Sequence, residues 1–188
     1  TLNPQVLEDI SRAKELADIV IVCPHWGTEY SSKASSYQKK WAEAMTEAGA
    51  DVIIGTHPHV VEPVEWITAE NGNEALCYYS LGNYVSSQKK AISMLEALAW
   101  VTFHVTEDDI TIDREHTGAL PLVCQYTAGP VRFQNVYLLE DYTEDLAASH
   151  GIRNYGGVTL RLEDLQKWST ETLGDFVLTK DQVLHNFK

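Results

Sequence analysis

The hydrophobic pattern of the N-terminal segment predicts a helix followed by a strand. Asn3-Pro4 supplies a helix-capping residue and then a proline suited to the first helical turn. Apolar residues follow at helical spacing, at Val6, Ile10, Ala13 and Leu16. The run from Ile19 to Cys23 is continuously apolar and rich in β-branched residues, which is typical of a buried strand.

A second helix and two further strands are predicted next. The helix begins near Ser36 and stops at Gly49, and its apolar residues form one stripe. That stripe consists of Tyr37, Trp41, Ala44, Met45 and Ala48. Asp51 to Ile54 is the next buried strand, so the strand, helix and strand predict a right-handed crossover between parallel strands. After the Asn71-Gly72 turn, Ala75 to Tyr79 is a third strand.

The pattern changes in the second half of the chain. From Ile92 to Val105 apolar residues alternate with period two, which favours a half-buried strand, although a short helix fits its first part equally well. We prefer the strand, because Asp108-Asp109 then forms a turn into Ile110 to Ile112. The remaining predicted elements are a strand at Val131 to Leu139 and helices at Tyr142 to Ser149 and Leu162 to Trp168.

Length and composition are those of one soluble domain. The chain has 188 residues, of which 44% are hydrophobic and 22% charged. We expect a single α/β domain, parallel over residues 1–90 and more antiparallel, with short helices, over residues 91–188. The sequence opens on Thr1 without a signal-peptide core, so we expect a processed or partial segment of a longer protein.

Charge and cysteine usage argue against several function classes. The net charge of −13 is unlike that of a nucleic-acid or anionic-membrane surface, which needs clustered lysine and arginine. Cys23, Cys77 and Cys124 are odd in number and widely spaced, which argues against a disulfide framework and against a CxxC zinc site. Cys23 and Cys77 lie in apolar runs and are predicted to be buried free thiols.

Polar side chains follow three of the predicted strands at their carboxyl ends. His25 comes after the first strand, His57 and His59 after the second, and Asn83 after the third. Loops at the carboxyl ends of parallel strands converge on one edge of the sheet, so these side chains are predicted to meet there. Two imidazoles at His-x-His spacing and a third from a neighbouring strand are a recurring set of metal ligands. Glu29 is placed to orient an imidazole or to contact a ligand.

Less specific interpretations accompany each of these residues. A single histidine after a strand is usually a polar loop residue, and a His-x-His pair around a proline also arises in ordinary turns. Glu62 and Glu65 flank the histidine pair, and the simplest expectation is that they belong to a solvated face. The histidines without a paired context are predicted to be surface or core residues: His104, His116, His150 and His185.

Three ordered segments carry a more specific signal. They are His25 to Tyr30 (HWGTEY), Gly49 to Val60 (GADVIIGTHPHV) and Tyr79 to Tyr84 (YSLGNY). These segments resemble the signatures of bacterial poly-gamma-glutamate capsule-synthesis proteins of the CapA or PgsA type. The resemblance covers residues 1 to about 90 well and the remainder only loosely, and Thr56 stands where that family often has histidine.

That family in turn resembles the calcineurin-like metallophosphoesterases, which implies a β-sandwich flanked by helices with two metals at one edge. By this resemblance, His25 corresponds to the single metal-binding histidine in the middle of such a domain. His57 and His59 correspond to its last two metal-binding histidines, which are divided between the two metals. The family's acidic and Asn-His ligands precede the first of the three segments, and this sequence begins after them. We therefore expect the C-terminal portion of such a domain, with a weak, single or empty site for Mn, Zn or Fe, and inactive alone.

Two functions follow from the resemblance. The complete protein is either a metal-dependent hydrolase acting on an anionic polymer or small molecule, or a non-catalytic capsule assembly, polymer-binding or anchoring component. The resemblance further implies that three residues either contact the substrate or support the metal ligands: Glu29, Asn83 and Trp26. The resemblance also implies an extracellular or cell-surface location, a membrane anchor outside this sequence, and partners in the capsule-synthesis machinery rather than nucleic acid. An α/β domain with chance histidines is a third, less specific interpretation.

Overall fold

The computed structural model describes residues 3–129 and 134–185 and has a mixed α/β architecture. Short 3-10 turns cover Ala91–Met94, Leu139–Asp141, Gly151–Asn154 and Gly174–Phe176. The helices are α1 (Pro4–Lys14), α2 (Ser36–Glu47), α3 (Glu144–Ser149), α4 (Leu162–Leu173) and α5 (Lys180–His185). The strands are β1 (Ile21–Val22), β2 (Val52–Ile54), β3 (Val64–Thr68), β4 (Glu74–Tyr78), β5 (Leu95–Trp100), β6 (Phe103–Val105), β7 (Ile110–Ile112), β8 (Gly118–Tyr126) and β9 (Gln134–Leu138).

The first sheet has the strand order β1-β2-β4-β3. β1 pairs in parallel with β2, and β2 in parallel with β4, so the parallel pairing predicted for the strands on either side of α2 is confirmed. β3 was not predicted; it joins the far edge as the antiparallel partner of β4 across the Asn71-Gly72 turn. β1 lies at the opposite edge, which explains why Ile21 is 51% exposed and Cys23 is exposed, although both were expected to be buried.

The two N-terminal helices begin as the sequence predicts. The Asn3 side chain accepts a hydrogen bond from the Gln5 N–H, and Ser35 and Gln38 form a reciprocal capping box at the start of α2. The predicted apolar stripe of α2 is confirmed at Met45, which is buried, and at Trp41 and Ala48, which pack against the same core, but Tyr37 at its head is exposed. The residues of α2 that are buried are Gln38, Ala42, Met45 and Thr46. Leu16 is also exposed, because α1 ends at Lys14.

The second half is antiparallel, as predicted, in a three-stranded sheet ordered β5-β8-β9 and a β6-β7 hairpin. The predicted strand at 92–105 is present but broken between β5 and β6, and residues 131–133 of the next predicted strand lie outside the described residues. The sequence analysis assigned no strand at β8, which is buried along its whole length. Pro121 of β8 lies opposite Ala97 of β5. The Ala97 N–H donates to Leu81 O rather than to β8, so this pair of residues forms no hydrogen bond between the strands. Proline, which has no N–H, therefore fits at this position.

Alternate residues of β2 and β4 face two different cores. Val52, Leu76 and Tyr78 pack toward β5 and β8, whereas the neighbouring Ile53 and Cys77 pack toward α1 and α2. The first sheet is therefore covered on both faces, which explains its continuous apolar strands.

Cys77 and Cys124 are buried, and all three cysteines are free. In the part of the chain that the structure describes, no helix is both long and apolar enough to span a membrane.

Candidate functional site

The parallel pairing of β1 and β2 continues past the strand ends into the site. His25 and Thr56 form a parallel bridge, in which Thr56 N–H donates to Pro24 O and Trp26 N–H donates to Thr56 O, each at 3.0 Å. These backbone bonds hold the two histidine-bearing loops side by side. The convergence expected from strand order is therefore present in the structure.

The site is centred on a histidine cluster, by which we mean His25, His57 and His59. The ring centroids of His25 and His57 are 4.7 Å apart, and those of His57 and His59 are 6.1 Å apart. His57 and His59 both have positive φ, at 111° and 61°, in a region that non-glycine residues rarely adopt. Such backbone conformations cluster at functional sites and persist where the surrounding contacts hold them in place.

Asn83 holds His59 at both its ring and its backbone. Asn83 Oδ1 lies 2.6 Å from His59 Nδ1, and Asn83 Nδ2 donates to His59 O at 3.2 Å. An amide oxygen can only accept, so Nδ1 carries the proton and Nε2 keeps its lone pair. The clamp thus orients the ring and selects the tautomer that a metal ligand requires.

Thr56 lies beside His25 at the bridge between the two loops. Its hydroxyl is 3.4 Å from Pro24 O and 3.3 Å from His25 Nδ1. The single hydroxyl proton can be donated to either acceptor, so these contacts position His25 without selecting its tautomer. An unprotonated Nε2 therefore follows from the hydrogen bonds at His59 and not from those at His25.

Glu96 lies beneath the Asn83 loop and was missed by the sequence analysis. Its side chain is completely buried, and its Oε2 accepts a hydrogen bond from the Asn83 N–H. Within the described residues its Oε1 has no hydrogen-bond partner. Burial raises the pKa of Glu96 to about 8, while the hydrogen bonds from Asn83 and Tyr84 oppose that rise. The available signal was an acidic residue inside an apolar strand, at Leu95-Glu96-Ala97.

Glu62 is a second buried carboxyl group close to the histidine loop. The expectation of a solvated face was wrong for this residue, which is 0% exposed, and burial raises its pKa to about 7. Gln38 Nε2 donates to Glu62 Oε2 at 2.6 Å, and this contact ties the start of α2 to the segment after His59. Glu65 does reach solvent, where it pairs with Lys39 at 2.8 Å.

The other two predicted site residues differ in their surroundings. Glu29 is 53% exposed in its side chain, and its Oε1 lies 3.9 Å from His59 Nε2, which makes it the acidic neighbour of the histidine cluster. Trp26 is buried, and its indole N–H donates to Tyr79 O at 2.8 Å. Its position therefore suits support of the His25 loop better than contact with a ligand.

The histidines outside the cluster have the surface or core positions predicted for them. His116 Nδ1 pairs with Asp113 at 2.8 Å, which raises the His116 pKa. His150 is buried, with its ring bonded to Cys124 O and to the Ile152 N–H, and burial lowers its pKa. His104 and His185 are exposed.

The histidine cluster has the donor chemistry of a metal site. Imidazoles are ligands that divalent transition metals prefer, and the amide of Asn83 orients His59 with its Nε2 unprotonated. The set is incomplete by itself: among residues 3–129 and 134–185, no group of three or more His, Cys, Asp or Glu side chains is arranged to hold an ion. Neutral imidazoles also leave the ion's charge unbalanced, and carboxylates usually supply that balance.

Comparison with known proteins agrees with the three sequence segments. The family model for the bacterial capsule synthesis protein PGA_cap matches residues 2–88. PGA biosynthesis protein CapA of Bacillus subtilis (strain 168) is 49% identical over 79 residues, which cover 42% of this chain and 20% of that protein. Capsule biosynthesis protein CapA of Bacillus anthracis is 38% identical over 117 residues, which cover 60% of this chain and 27% of that protein.

The matching regions thus span about a quarter of these relatives or less. The family-model match, residues 2–88, includes His25, the His57-Pro58-His59 segment and Asn83. The resemblance predicted from the three segments is therefore confirmed over this part of the chain, which is similar to the bacterial capsule synthesis protein PGA_cap and to the two CapA proteins.

Proposed function

We propose that the histidine cluster supplies the imidazole ligands of a divalent metal site in a protein of poly-gamma-glutamate capsule biosynthesis. The observation that carries this proposal is the Asn83 clamp, which orients His59 beside His57 and leaves its Nε2 unprotonated. The names of the CapA relatives supply the biological context.

The complete protein, on this proposal, is a metal-dependent hydrolase with a metallophosphoesterase-like fold. Mn, Zn or Fe bound by His25, His57 and His59 would generate a nucleophilic hydroxide and stabilise developing negative charge. Asn83 keeps the His59 imidazole in the ligating tautomer, Thr56 lies beside His25, and the Glu29 carboxyl group lies 3.9 Å from His59. The remaining acidic ligands would come from residues outside this sequence.

A non-catalytic role in capsule assembly, polymer binding or anchoring is the second candidate. The incomplete donor set favours it, since among the described residues no three His, Cys, Asp or Glu side chains, the histidine cluster included, are arranged to hold an ion. A single weakly held cation would then bridge the acidic protein to an acidic polymer rather than activate water. On either proposal the protein acts at the cell surface, with an anchor supplied by the longer protein.

Calorimetry with Mn²⁺ and Zn²⁺ tests the metal proposal directly. Wild-type protein should bind stoichiometrically, and His57→Ala and His59→Ala should abolish that binding. His104→Ala removes an exposed histidine outside the cluster and serves as the matched control. Equal affinity in all four proteins would contradict the assignment. Hydrolysis of a γ-linked glutamate polymer or a phosphoester by the full-length protein, lost in His59→Ala, then separates the enzyme from the assembly component.

A further inference from the structure

The segment of residues 86–90 lies against the second sheet and borders the histidine cluster. Ser86 N–H donates to Cys124 Sγ at 3.4 Å, and Gln134 Nε2 donates to Ser86 O at 3.0 Å. Tyr126 OH donates to Gln88 O at 3.3 Å. Strands β8 and β9 therefore fix the backbone of a segment that has no regular secondary structure of its own.

Two consecutive lysines project from this segment over aromatic rings. Lys90 Nζ lies 3.6 Å from the centroid of the Tyr30 ring, and Lys89 Nζ lies 4.8 Å from that of Tyr155. Tyr30 is also held in place, because its hydroxyl bonds Gln88 Oε1 at 2.9 Å and its N–H donates to Pro58 O at 2.7 Å. The rings position the two ammonium groups while leaving their N–H donors available to a ligand.

The 86–90 segment is adjacent to the histidine cluster. The ring of Tyr30 lies 5.9 Å from that of His59, so one aromatic ring separates Lys90 from the cluster. A cleft of about 350 Å³ runs along Tyr30 and residues 86–90. A ligand that lies in this cleft therefore reaches toward the proposed metal ligands.

The charge of this cleft opposes that of the whole chain. Acidic residues number 27 against 14 lysines and arginines. Even so, neither Lys89 nor Lys90 pairs with a carboxylate within the described residues, as is also true of Lys33 and Lys40, whereas Lys14, Lys39, Lys167 and Lys180 do. Two adjacent, unneutralised cations on an acidic protein mark a local site for anions.

We propose that Lys89 and Lys90 form an anion-binding subsite that holds successive carboxylates of an acidic polymer beside the histidine cluster. This inference rests on the proposed function, for which it supplies the polymer-binding surface. The two ammonium groups lie over different rings and so suit anionic groups repeated along a chain better than one compact anion. Among the described residues the cleft is lined by serine, glutamine, tyrosine and lysine, without the arginine fork typical of phosphate sites.

Fluorescence anisotropy with a labelled γ-linked glutamate oligomer tests the subsite, with EDTA present so that metal plays no part. Lys89→Gln/Lys90→Gln should weaken binding about tenfold, equal to about 1.4 kcal/mol. Lys40→Gln/Lys167→Gln makes the same charge change on exposed parts of α2 and α4 and should change the Kd less than about twofold. Lys89→Arg/Lys90→Arg should retain binding, since the charge is kept.

Three results would overturn the inference. The first is the absence of oligomer binding by the wild-type chain, and the second is an equal loss in the control double variant, which would indicate only net charge. The third is equally effective competition by polyphosphate of matched charge, which would contradict the selection of carboxylates. Because metal is absent, these outcomes are independent of the calorimetric test of the histidine cluster.

Discussion

Glu96 accepts a hydrogen bond from the Asn83 N–H although its side chain is completely buried. Asn83 in turn clamps His59, so the orientation of a candidate metal ligand depends on a carboxyl group from β5 of the second sheet. The family match ends at residue 88, before Glu96. The site is therefore supported by a part of the chain that carries none of the three sequence segments.

Replacing Glu96 with glutamine should flatten the pH dependence of stability. The folded chain keeps the Glu96 proton up to about pH 8, whereas an ordinary glutamate loses it near 4.5. Between these values the unfolded state binds fewer protons, so the free energy of unfolding falls as pH rises, by up to about 1.4 kcal/mol per pH unit. Glu96→Gln removes this contribution, which urea unfolding between pH 5 and 8 would measure.

The exposed Glu107, in the turn between β6 and β7, provides the control for that measurement. Glu107→Gln should keep the wild-type slope. Glu62, with a pKa of about 7, should leave a residual slope in Glu96→Gln. An unchanged slope in Glu96→Gln would mean that Glu96 is ionised in the folded protein.

Removing the Asn83 side chain should weaken metal binding without unfolding the protein. Asn83→Ala deletes the acceptor on His59 Nδ1, so the ring loses both its orientation and its preferred tautomer. Loss of such a supporting partner typically costs about 10–100-fold in metal affinity. Calorimetry with Zn²⁺ measures the change, and Asn154→Ala, which removes an amide bonded to Gly151 O, is the control. Wild-type affinity in Asn83→Ala would show that the clamp does not position a ligand.

Gly82 should tolerate no side chain. Its φ is +80°, and an added Cβ would overlap Glu96 Oε2, so alanine would meet both backbone strain and a buried carboxyl group. We expect Gly82→Ala to destabilise the chain by about 2–4 kcal/mol. Gly72 has a similar φ of +87° with open space around it, so Gly72→Ala carries the backbone cost alone. Equal losses of stability in the two variants would show that Glu96 moves aside easily.

The Tyr78 hydroxyl should be important for joining the two sheets. It donates to Gly118 O at 2.7 Å, from β4 in the first sheet to β8 in the second. Tyr78→Phe leaves a buried carbonyl without this donor and should cost about 1–3 kcal/mol in unfolding free energy. Tyr37→Phe, on the exposed side of α2, should have little effect in the same urea titration. A neutral Tyr78→Phe would mean that apolar packing alone holds the sheets together.

One thiol per chain should react rapidly under native conditions. Cys23 is exposed at the end of β1, whereas Cys77 and Cys124 are buried and burial raises the pKa of both thiols. A thiol-reactive chromophore should therefore label one site quickly and two more only after denaturation. Cys23→Ser should abolish the fast phase, and a persistent fast phase in that variant would contradict the assignment.

The sequence determined the local elements and the order in which they meet. Capping residues started α1 and α2 where predicted, and continuous apolar runs identified β2 and β4, because these signals depend on neighbours along the chain. The parallel crossover then placed His25 beside the His57–His59 loop. Burial at the edges was mispredicted, since Ile21 and Cys23 lie on an edge strand whose exposure depends on which other strands pair with it.

The surroundings of each charged group depend on the tertiary structure. Glu62 and Glu65 are close in sequence and chemically identical, yet one is completely buried against Gln38 and the other pairs with Lys39 in solvent. Two other charged groups also owe their surroundings to residues that are not their neighbours in sequence: Glu96 lies beneath Asn83, and Lys90 lies over the Tyr30 ring. Burial and long-range contacts set desolvation and charge pairing, and neither is encoded in the identity of the residue or of its immediate neighbours.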